Sequence, residues 1–278
     1  MTSLTFKPAV TLSLDDLARA FNAAFAGYFY PQSHTGQTFA RRVRLEQLDL
    51  HHSLIAYEGA ELAGLFLLGI RGERGWCGGF GIVQELRGRG LSHELMSEMA
   101  EEARRAGLKR LSLEVLARNE AARHLYESAG MRVTRDLLIL GLDDERRAAR
   151  RSSALTEAGP EKLLRHFTRM HSCAPAWQRD LSSLLATDGV RGLCLGEKDE
   201  PRAYALIVER PAEGFAHLVD LAACDEESAH ALTEGLCALP YRLRVVNEPE
   251  ESLFIKALKA SGFVEQDRQH EMELELSS

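Results

Sequence analysis

The sequence predicts an α/β (α+β) protein built as two successive domains, and three observations predict it. The chain has 278 residues, which at roughly 150 residues per domain gives two bodies, each able to bury a core. Strand and helix signals alternate through the first half. The second half echoes that alternation weakly, as an internal repeat of one βα unit. The predicted boundary separates residues 1–145 from residues 146–278. It falls in a linker over 141–160, marked by the charged run Asp143 to Arg151 and by Gly159-Pro160.

In the first half, Thr11 to Phe25 reads as a helix. Ser13 caps it before Asp15 and Asp16, and Leu17, Phe21, Ala24 and Phe25 share a face. An aromatic loop follows (Tyr28, Phe29, Tyr30, Pro31), then a second helix over Gln37 to Leu48. Ser53–Tyr57 and Leu62–Arg71 form strands joined at Glu58-Gly59, with His51-His52 on a polar turn before them, and Trp76–Val83 forms a third strand. The long helix to Ala106 carries the apolar stripe Leu91, Leu95, Met96, Met99, Ala103 and stops at Gly107. Leu111, Leu113 and Val115 alternate as a strand, and Asn119–Ala129 is a short helix closed by Gly130.

In the second half, helices are expected over Pro160–Met170 and Glu226–Ala238. Strands are expected near Gly192–Leu195, Ala203–Glu209, Ala216–Ala222 and Tyr241–Val246. Asn247 then leads through a last helix to Ser261-Gly262-Phe263.

Charge and composition exclude several classes. The net charge of −7 and pI near 5.8 argue against nucleic-acid binding by overall charge. Residues 1–150 carry 20 Lys+Arg against 19 Asp+Glu, whereas residues 151–278 carry 14 against 22. Anion binding is therefore sought in the first half. The longest apolar stretch, Leu62–Ile70, contains two glycines and is far shorter than the ~20 residues of a membrane span. No basic region precedes an apolar run at the N-terminus, so no signal peptide is expected. The five cysteines are scattered, odd in number and without a CxxC pair, which points to a reducing, cytoplasmic setting.

The chemistry-bearing segment is Val83 to Ser92. A strand that ends in an Arg/Gly-rich turn and opens directly into a helix gathers backbone N–H groups at the positive end of the helix dipole. Arg87 and Arg89 strengthen that field for phosphate. A Walker-type loop is excluded because no Lys follows Gly90. A dinucleotide GxGxxG fails at Gln84 and at His93.

Arg87-x-x-Gly90-x-Ser92 resembles the acyl-CoA pyrophosphate loop of GNAT-type N-acetyltransferases, (Q/R)xxGx(G/A), with Ser92 in place of Gly or Ala and Gln84 where proline is frequent. Asn119-x-x-Ala122-x-x-x-Tyr126-x-x-x-Gly130-Met131 is similar to the family's NxxAxxxYxxxGF, with Met131 for Phe. The two stand in the family's order, with one helix and one strand between them. The resemblance implies a fold of two tandem domains, each a mixed, mostly antiparallel sheet flanked by helices.

It further implies acetyl-CoA as co-substrate, with no metal, and a cofactor site formed by Ile82, Val83, Arg87, Gly88, Arg89, Gly90, Leu91, Ser92, Asn119 and Tyr126. In such a site Ile82 and Val83 pair with the pantetheine arm and the N–H groups from Arg87 to Ser92 hold the pyrophosphate. Asn119 contacts the CoA arm, and Tyr126 protonates the departing thiolate. A phenol near pKa 10 suits a thiol near 8.5. The acceptor amine is the harder problem, since a lysine-like amine is neutral on the order of once in a thousand molecules at neutral pH, a penalty of about 4 kcal/mol. Glu114 is the candidate base, with a structural carboxylate as the equal alternative; Glu85 is expected to be exposed. Cys77 lacks a histidine partner, so direct transfer is expected.

Of the aromatic set, Phe21 and Phe25 are expected in the core, while Tyr28 and Tyr30 are candidates for walling the acceptor pocket. The acceptor is expected to be a small-molecule amine or an exposed protein amine, with no nucleic-acid or membrane partner, and the chain a monomer or homodimer. His166, His171 and Cys173 lack a persuasive fourth ligand for zinc.

The second half lacks the loop: after Ala222 the chain reads Ala223-Cys224-Asp225-Glu226-Glu227, and Leu258 stands where Tyr126 stands in the first half. It is expected to be a degenerate copy. A non-catalytic acyl-CoA sensor or scaffold is the alternative function.

Overall fold

Local signals place most elements of the first half. The computed structural model describes residues 4–143 and 155–276. The Ser13 hydroxyl accepts the Asp16 N–H at 3.1 Å and starts α1 (Leu14–Ala24). Thr35 and Thr38 form a reciprocal capping box at the head of α2 (Gly36–Glu46). Strands β1 (Thr5–Pro8), β2 (Leu48–Glu58), β3 (Glu61–Arg71) and β4 (Arg74–Ile82) pair antiparallel in succession. Helix α3 (Leu91–Arg105) then crosses to β5 (Arg110–Leu116), which lies parallel to β4, followed by α4 (Glu120–Ser128).

Two expectations are corrected here. His51 and His52 do not lie on a turn but in an irregular stretch of β2, their N–H groups both donating to Asp49 Oδ1. The segment after Gly130 is a long strand, β6 (Arg132–Leu142), so the linker cannot begin at 141. Leu137–Leu142 is a run of apolar side chains and one glycine, almost all fully buried, and such a run lacks the alternation by which a half-buried strand is recognised. The predicted boundary at 145/146 lies outside the described residues.

The second half contains β7 (Thr156–Ala158), α5 (Pro160–Leu164), α6 (Phe167–Met170), α7 (Leu181–Ala186), β8 (Val190–Gly196), β9 (Pro201–Arg210), β10 (Phe215–Ala223), α8 (Glu226–Leu236), β11 (Arg242–Pro249), α9 (Phe254–Ala260) and β12 (Val264–Glu275). The expected helix over Pro160–Met170 is broken into α5 and α6 at Arg165-His166. Asn247 lies inside β11 in the left-handed region rather than leading into a helix.

The chain divides into two units, Met1–Thr134 with Glu271–Ser278, and Arg135–His270. The predicted halves therefore exchange their last strands: most of β6 belongs to the second unit, and the end of β12 to the first. In the first unit the strand order is β1-β2-β3-β4-β5 followed by the end of β12. In the second it is the start of β12, then β6-β11-β10-β9-β8-β7, with β10 and β11 parallel and the other registered pairs antiparallel.

Each sheet is covered on both faces. In the first unit the α3 stripe packs on Leu54, Phe66, Leu68 and Cys77, and Met272 and Leu276 from the chain end join that cluster. On the other face, α1 reaches the sheet closely. A side chain at Gly79 would meet Phe21 at 2.8 Å, and one at Gly81 would meet the Ala24 carbonyl oxygen at 2.9 Å. Only glycine allows this approach. In the second unit α8 and α9 cover one face, through Leu232, Leu236, Phe254 and Leu258. Leu163, Phe167, Met170 and Leu184 pack with Tyr204 and Leu206.

Candidate active site

Strands β4 and β5 pair only from Arg74/Arg110 to Trp76/Ser112. Beyond this point no pairing between them is found among the described residues. Ile82 and Val83, both buried, end β4 beyond this pairing, and the Val83 N–H turns back to the Ala63 carbonyl. A single 3-10 turn over Gln84–Leu86 leads into the loop.

Gly90 caps α3 at φ +82°, and Gly88 lies at φ +76°. A Cβ at either would meet nothing within 4 Å, so the loop presents bare backbone to open space. Among the described residues the N–H groups of Gly88, Arg89 and Gly90 have no hydrogen-bond partner. Those of Leu91 and Ser92, in the first turn of α3, have none by helix geometry. Five N–H donors without partners at the positive end of a 15-residue helix fit a pyrophosphate.

The guanidinium groups of the two arginines expected to strengthen the field for phosphate are bonded within the protein. The Arg87 guanidinium donates to three carbonyls: Ile82, Ala24 and Ala26, each at 2.9 Å. It ties the end of α1 to the end of β4 and fixes the loop's shape. The Arg89 guanidinium forms a two-bond pair with Glu58, at 2.9 and 2.7 Å. Glu85 is exposed, as expected.

Asn119 caps α4, its Oδ1 accepting the Ala122 N–H at 3.3 Å, and its amide Nδ2 has no hydrogen-bond partner among the described residues. Capping at Asn119 sets the register that turns Tyr126 inward. Tyr126 is 7% exposed, with its ring edge-on to Phe80 at 5.8 Å, and among the described residues its hydroxyl has no hydrogen-bond partner. Burial pushes its phenol well above the ordinary range, and the neighbouring Cys77 and Tyr28 add to this. Burial likewise pushes the Cys77 thiol up to about 12, Glu114 contributing, so the thiol stays protonated and is a poor nucleophile.

Glu114, half-buried on β5, accepts the Trp76 Nε1–H at 2.8 Å. Tyr28 packs edge-on between Phe25 and Phe29. Sequence reasoning missed Arg118, whose guanidinium lies over the rings of Phe29 and Tyr30 at 4.8 and 5.4 Å. It also missed Arg42, which stacks over Phe21 at 4.4 Å and donates to the Gly78 carbonyl. The signals available were only an arginine next to the Asn119 motif and arginines on a helix, neither of which specifies a partner.

Residues 15–131 match the Acetyltransferase (GNAT) family. The first unit is therefore similar to that family over most of its length. It is 26% identical over 148 residues to the uncharacterized N-acetyltransferase YdgE of Bacillus subtilis, covering 45% of this chain and 94% of that protein. It is 38% identical over 55 residues to the uncharacterized N-acetyltransferase YycN of the same organism, covering 20% of this chain but only 35% of that protein.

Among solved structures, a putative acetyltransferase from Pyrococcus horikoshii matches with a TM-score of 0.70 at 16% identity, covering 100% of this chain and 91% of that one. A tandem GNAT protein from the clavulanic acid biosynthesis pathway matches at 0.68 and 16% identity, covering 99% of each. The fold of this chain is therefore the tandem one. No helix among the described residues is long and apolar enough to cross a membrane, and no cluster of three or more His, Cys, Asp or Glu able to hold a metal is found among them.

Proposed function

We propose that the first unit transfers an acetyl group from acetyl-CoA directly to a primary amine. The observation that carries this is the row of unpartnered N–H groups from Gly88 to Ser92, directly after a β4 that parts from β5, with a buried tyrosine bearing a free hydroxyl on the helix that follows β5. Acetyl-CoA supplies an activated acyl carbon when bound.

The chain's own groups do the rest. The loop N–H groups and the α3 terminus neutralise the pyrophosphate, the end of β4 at Ile82–Val83 aligns the arm, and Asn119 Nδ2 bonds to it. As the C–S bond breaks and the C–N bond forms, the Tyr126 hydroxyl gives its proton to the sulfur. Glu114, held at one oxygen by Trp76, takes the amine proton through a water molecule. Tyr28 and Tyr30, with Arg118 stacked against the latter, wall the acceptor side. The acceptor is a small-molecule amine or an exposed protein amine. The second unit is non-catalytic: the Asp225 carboxylate caps α8 by accepting the Ser228 N–H at 2.7 Å, placing a negative charge where a phosphate would need to sit. A cytoplasmic setting belongs to the same proposal and agrees with five free cysteines.

The test is isothermal titration with acetyl-CoA of the wild-type chain and Gly90→Glu. The added side chain enters open space, so the fold survives at a backbone cost of about 1–2 kcal/mol, while its carboxylate occupies the anion position. One-to-one micromolar binding that the variant loses is expected. Retained affinity in the variant refutes the site, and binding without turnover on any amine leaves a sensor.

A further inference from the structure

Helices α5 to α7 pack on one face of the second sheet, over Cys194, Tyr204 and Leu206. Alternation along β9 puts Val208 and Arg210 on that same face, two and four residues beyond Leu206. The neighbouring strands are in register there. Arg210, Phe215 and Arg242 stand side by side across β9, β10 and β11, and Val208, His217 and Arg244 form the next row. Adjacent strands lie about 4.8 Å apart, so Arg210 and Arg244 flank His217 from opposite sides. None of these side chains belongs to the apolar cluster beneath the helices.

The two rows carry three guanidinium groups and no carboxylate. Arg242 is exposed and Arg210 half-buried, and their hydrogen bonds run to backbone carbonyls, of Glu213 at 2.9 Å and of Glu209 at 3.3 Å. No ion pair of either is found among the described residues. Nor is a hydrogen bond of the His217 ring, which is half-buried and edge-on to Phe215 at 4.3 Å. Burial, with the charges of Arg244 and Arg210, pushes the His217 imidazole down to about 4. It is therefore neutral at neutral pH and offers one N–H donor beside the arginines.

Other arginines of this unit are neutralised by carboxylates. Arg191 pairs with Glu157 and Glu209, and Arg268 with Asp136, Glu250 and Glu265. The two rows thus form a basic patch in the acidic half of the chain, where residues 151–278 carry 14 Lys+Arg against 22 Asp+Glu.

From this arrangement we propose that the second unit binds a phosphate dianion, free or as a monoester, among Arg210, Arg242 and Arg244, with His217 donating an N–H. A planar carboxylate is satisfied by one guanidinium. A tetrahedral dianion has oxygens for donors on both flanking strands and on the strand between them. Two negative charges also relieve the mutual repulsion of three cations, while the acidic remainder of the unit repels a long polyanion. The proposal does not depend on what the first unit catalyses.

The experiment titrates the full chain, labelled with carbon-13 histidine, with sodium phosphate and separately with glycerol 3-phosphate. Sodium chloride holds the ionic strength constant at about pH 7.5. The probe is the His217 imidazole resonance, assigned by its loss in His217→Gln, so phosphate at the loop of the first unit does not enter the reading. In parallel, phenylglyoxal modification of Arg210 and Arg242 is followed by peptide mass spectrometry. The His217 resonance should shift along a one-to-one saturation curve at millimolar concentration, and the bound anion should slow modification of both arginines several-fold. Tighter binding of the ester assigns the site to a phosphomonoester, and tighter binding of inorganic phosphate assigns it to the free ion.

Arg210→Gln and Arg242→Gln should each weaken binding at least fivefold, with the remaining histidine resonances reporting that each variant is folded. Lys259→Gln, which removes one exposed charge from α9 of the same unit, should leave binding unchanged. The proposal is overturned if both phosphates leave the His217 resonance in place, or if chloride alone moves it equally. It also fails if Arg210→Gln and Arg242→Gln bind as tightly as the wild-type chain, or if Lys259→Gln weakens binding as much as they do.

Discussion

Replacing Tyr126 by Phe removes one oxygen and nothing else. The ring keeps its edge contact with Phe80 and its burial, and the hydroxyl that disappears has no partner among the described residues. Stability should therefore change by less than about 1 kcal/mol, since a buried hydroxyl without a bond contributes nothing favourable to the fold. Acetyl-CoA affinity should be unchanged, because the loop N–H groups and the strand backbone hold the ligand. Turnover should fall by about 10²–10⁴, the range for general acid catalysis, or about 2.7–5.4 kcal/mol of barrier at 1.36 per decade.

The pH profile gives the sign of the effect. Burial raises the Tyr126 phenol above its ordinary value, so it is protonated throughout the neutral range and its acid form is lost only at high pH. Between mildly acidic and mildly alkaline pH the wild-type rate should rise with deprotonation of the amine, and the variant should follow the same limb at a lower level. The assay couples released CoA thiol to a chromogenic disulfide, with the acceptor found by an amine screen, and measures affinity separately by calorimetry. Unchanged turnover, or equal losses of affinity and turnover, would refute the assignment of Tyr126 as the acid.

Three further outcomes test the scaffold. Arg87→Ala releases three carbonyls that tie α1 to β4, two of the contacts partly buried and the third exposed. It should lower stability by about 2–4 kcal/mol and weaken acetyl-CoA binding, and an unchanged melting temperature would show that the clamp is idle. Gly81→Ala brings a methyl within 2.9 Å of the Ala24 carbonyl oxygen. About 1–3 kcal/mol should be lost in urea unfolding, and a neutral result would mean that α1 shifts freely.

The third outcome concerns His171. Burial opposes its charge, but the bond and charge of Asp220 and the Phe167 carbonyl outweigh burial and the nearby Arg179, and its pKa is raised. Its contribution is therefore full below the ordinary value near 6.5 and is lost as pH rises through the folded value. Followed by Trp177 fluorescence in a Trp76→Phe background, the stability of the second unit should decline over that window. His171→Asn should flatten the decline; an equally steep decline in the variant would assign it elsewhere.

Much of the site is legible in the chain because its grammar is local. Ser13 and Asn119 each cap the helix that follows, and Gly88 and Gly90 supply the left-handed turns into α3. The span from a strand end through the loop to a helix start fits within ten residues. The side-chain partners of Arg87 and Arg89 were not legible: their mates Ala24, Ala26 and Glu58 lie 63, 61 and 31 residues away. Nothing near an arginine in sequence distinguishes a carbonyl clamp from a phosphate ligand. The buried ion cluster of the second unit was hidden for the same reason, because His171, Arg179, Asp220 and Glu248 come from four separate segments.

The sequence by itself determined the tandem α/β plan, the glycine turns into α3 and the lack of their counterpart in the second half, because capping, glycine conformation and apolar periodicity act over a few residues. Tertiary structure decided which strand completes which sheet. Most of β6 lies in the second unit and the end of β12 in the first. A strand's own residues fix its extended shape and its apolar faces, but its neighbour is chosen by backbone bonds and packing with segments far along the chain, and composition carries no record of that choice.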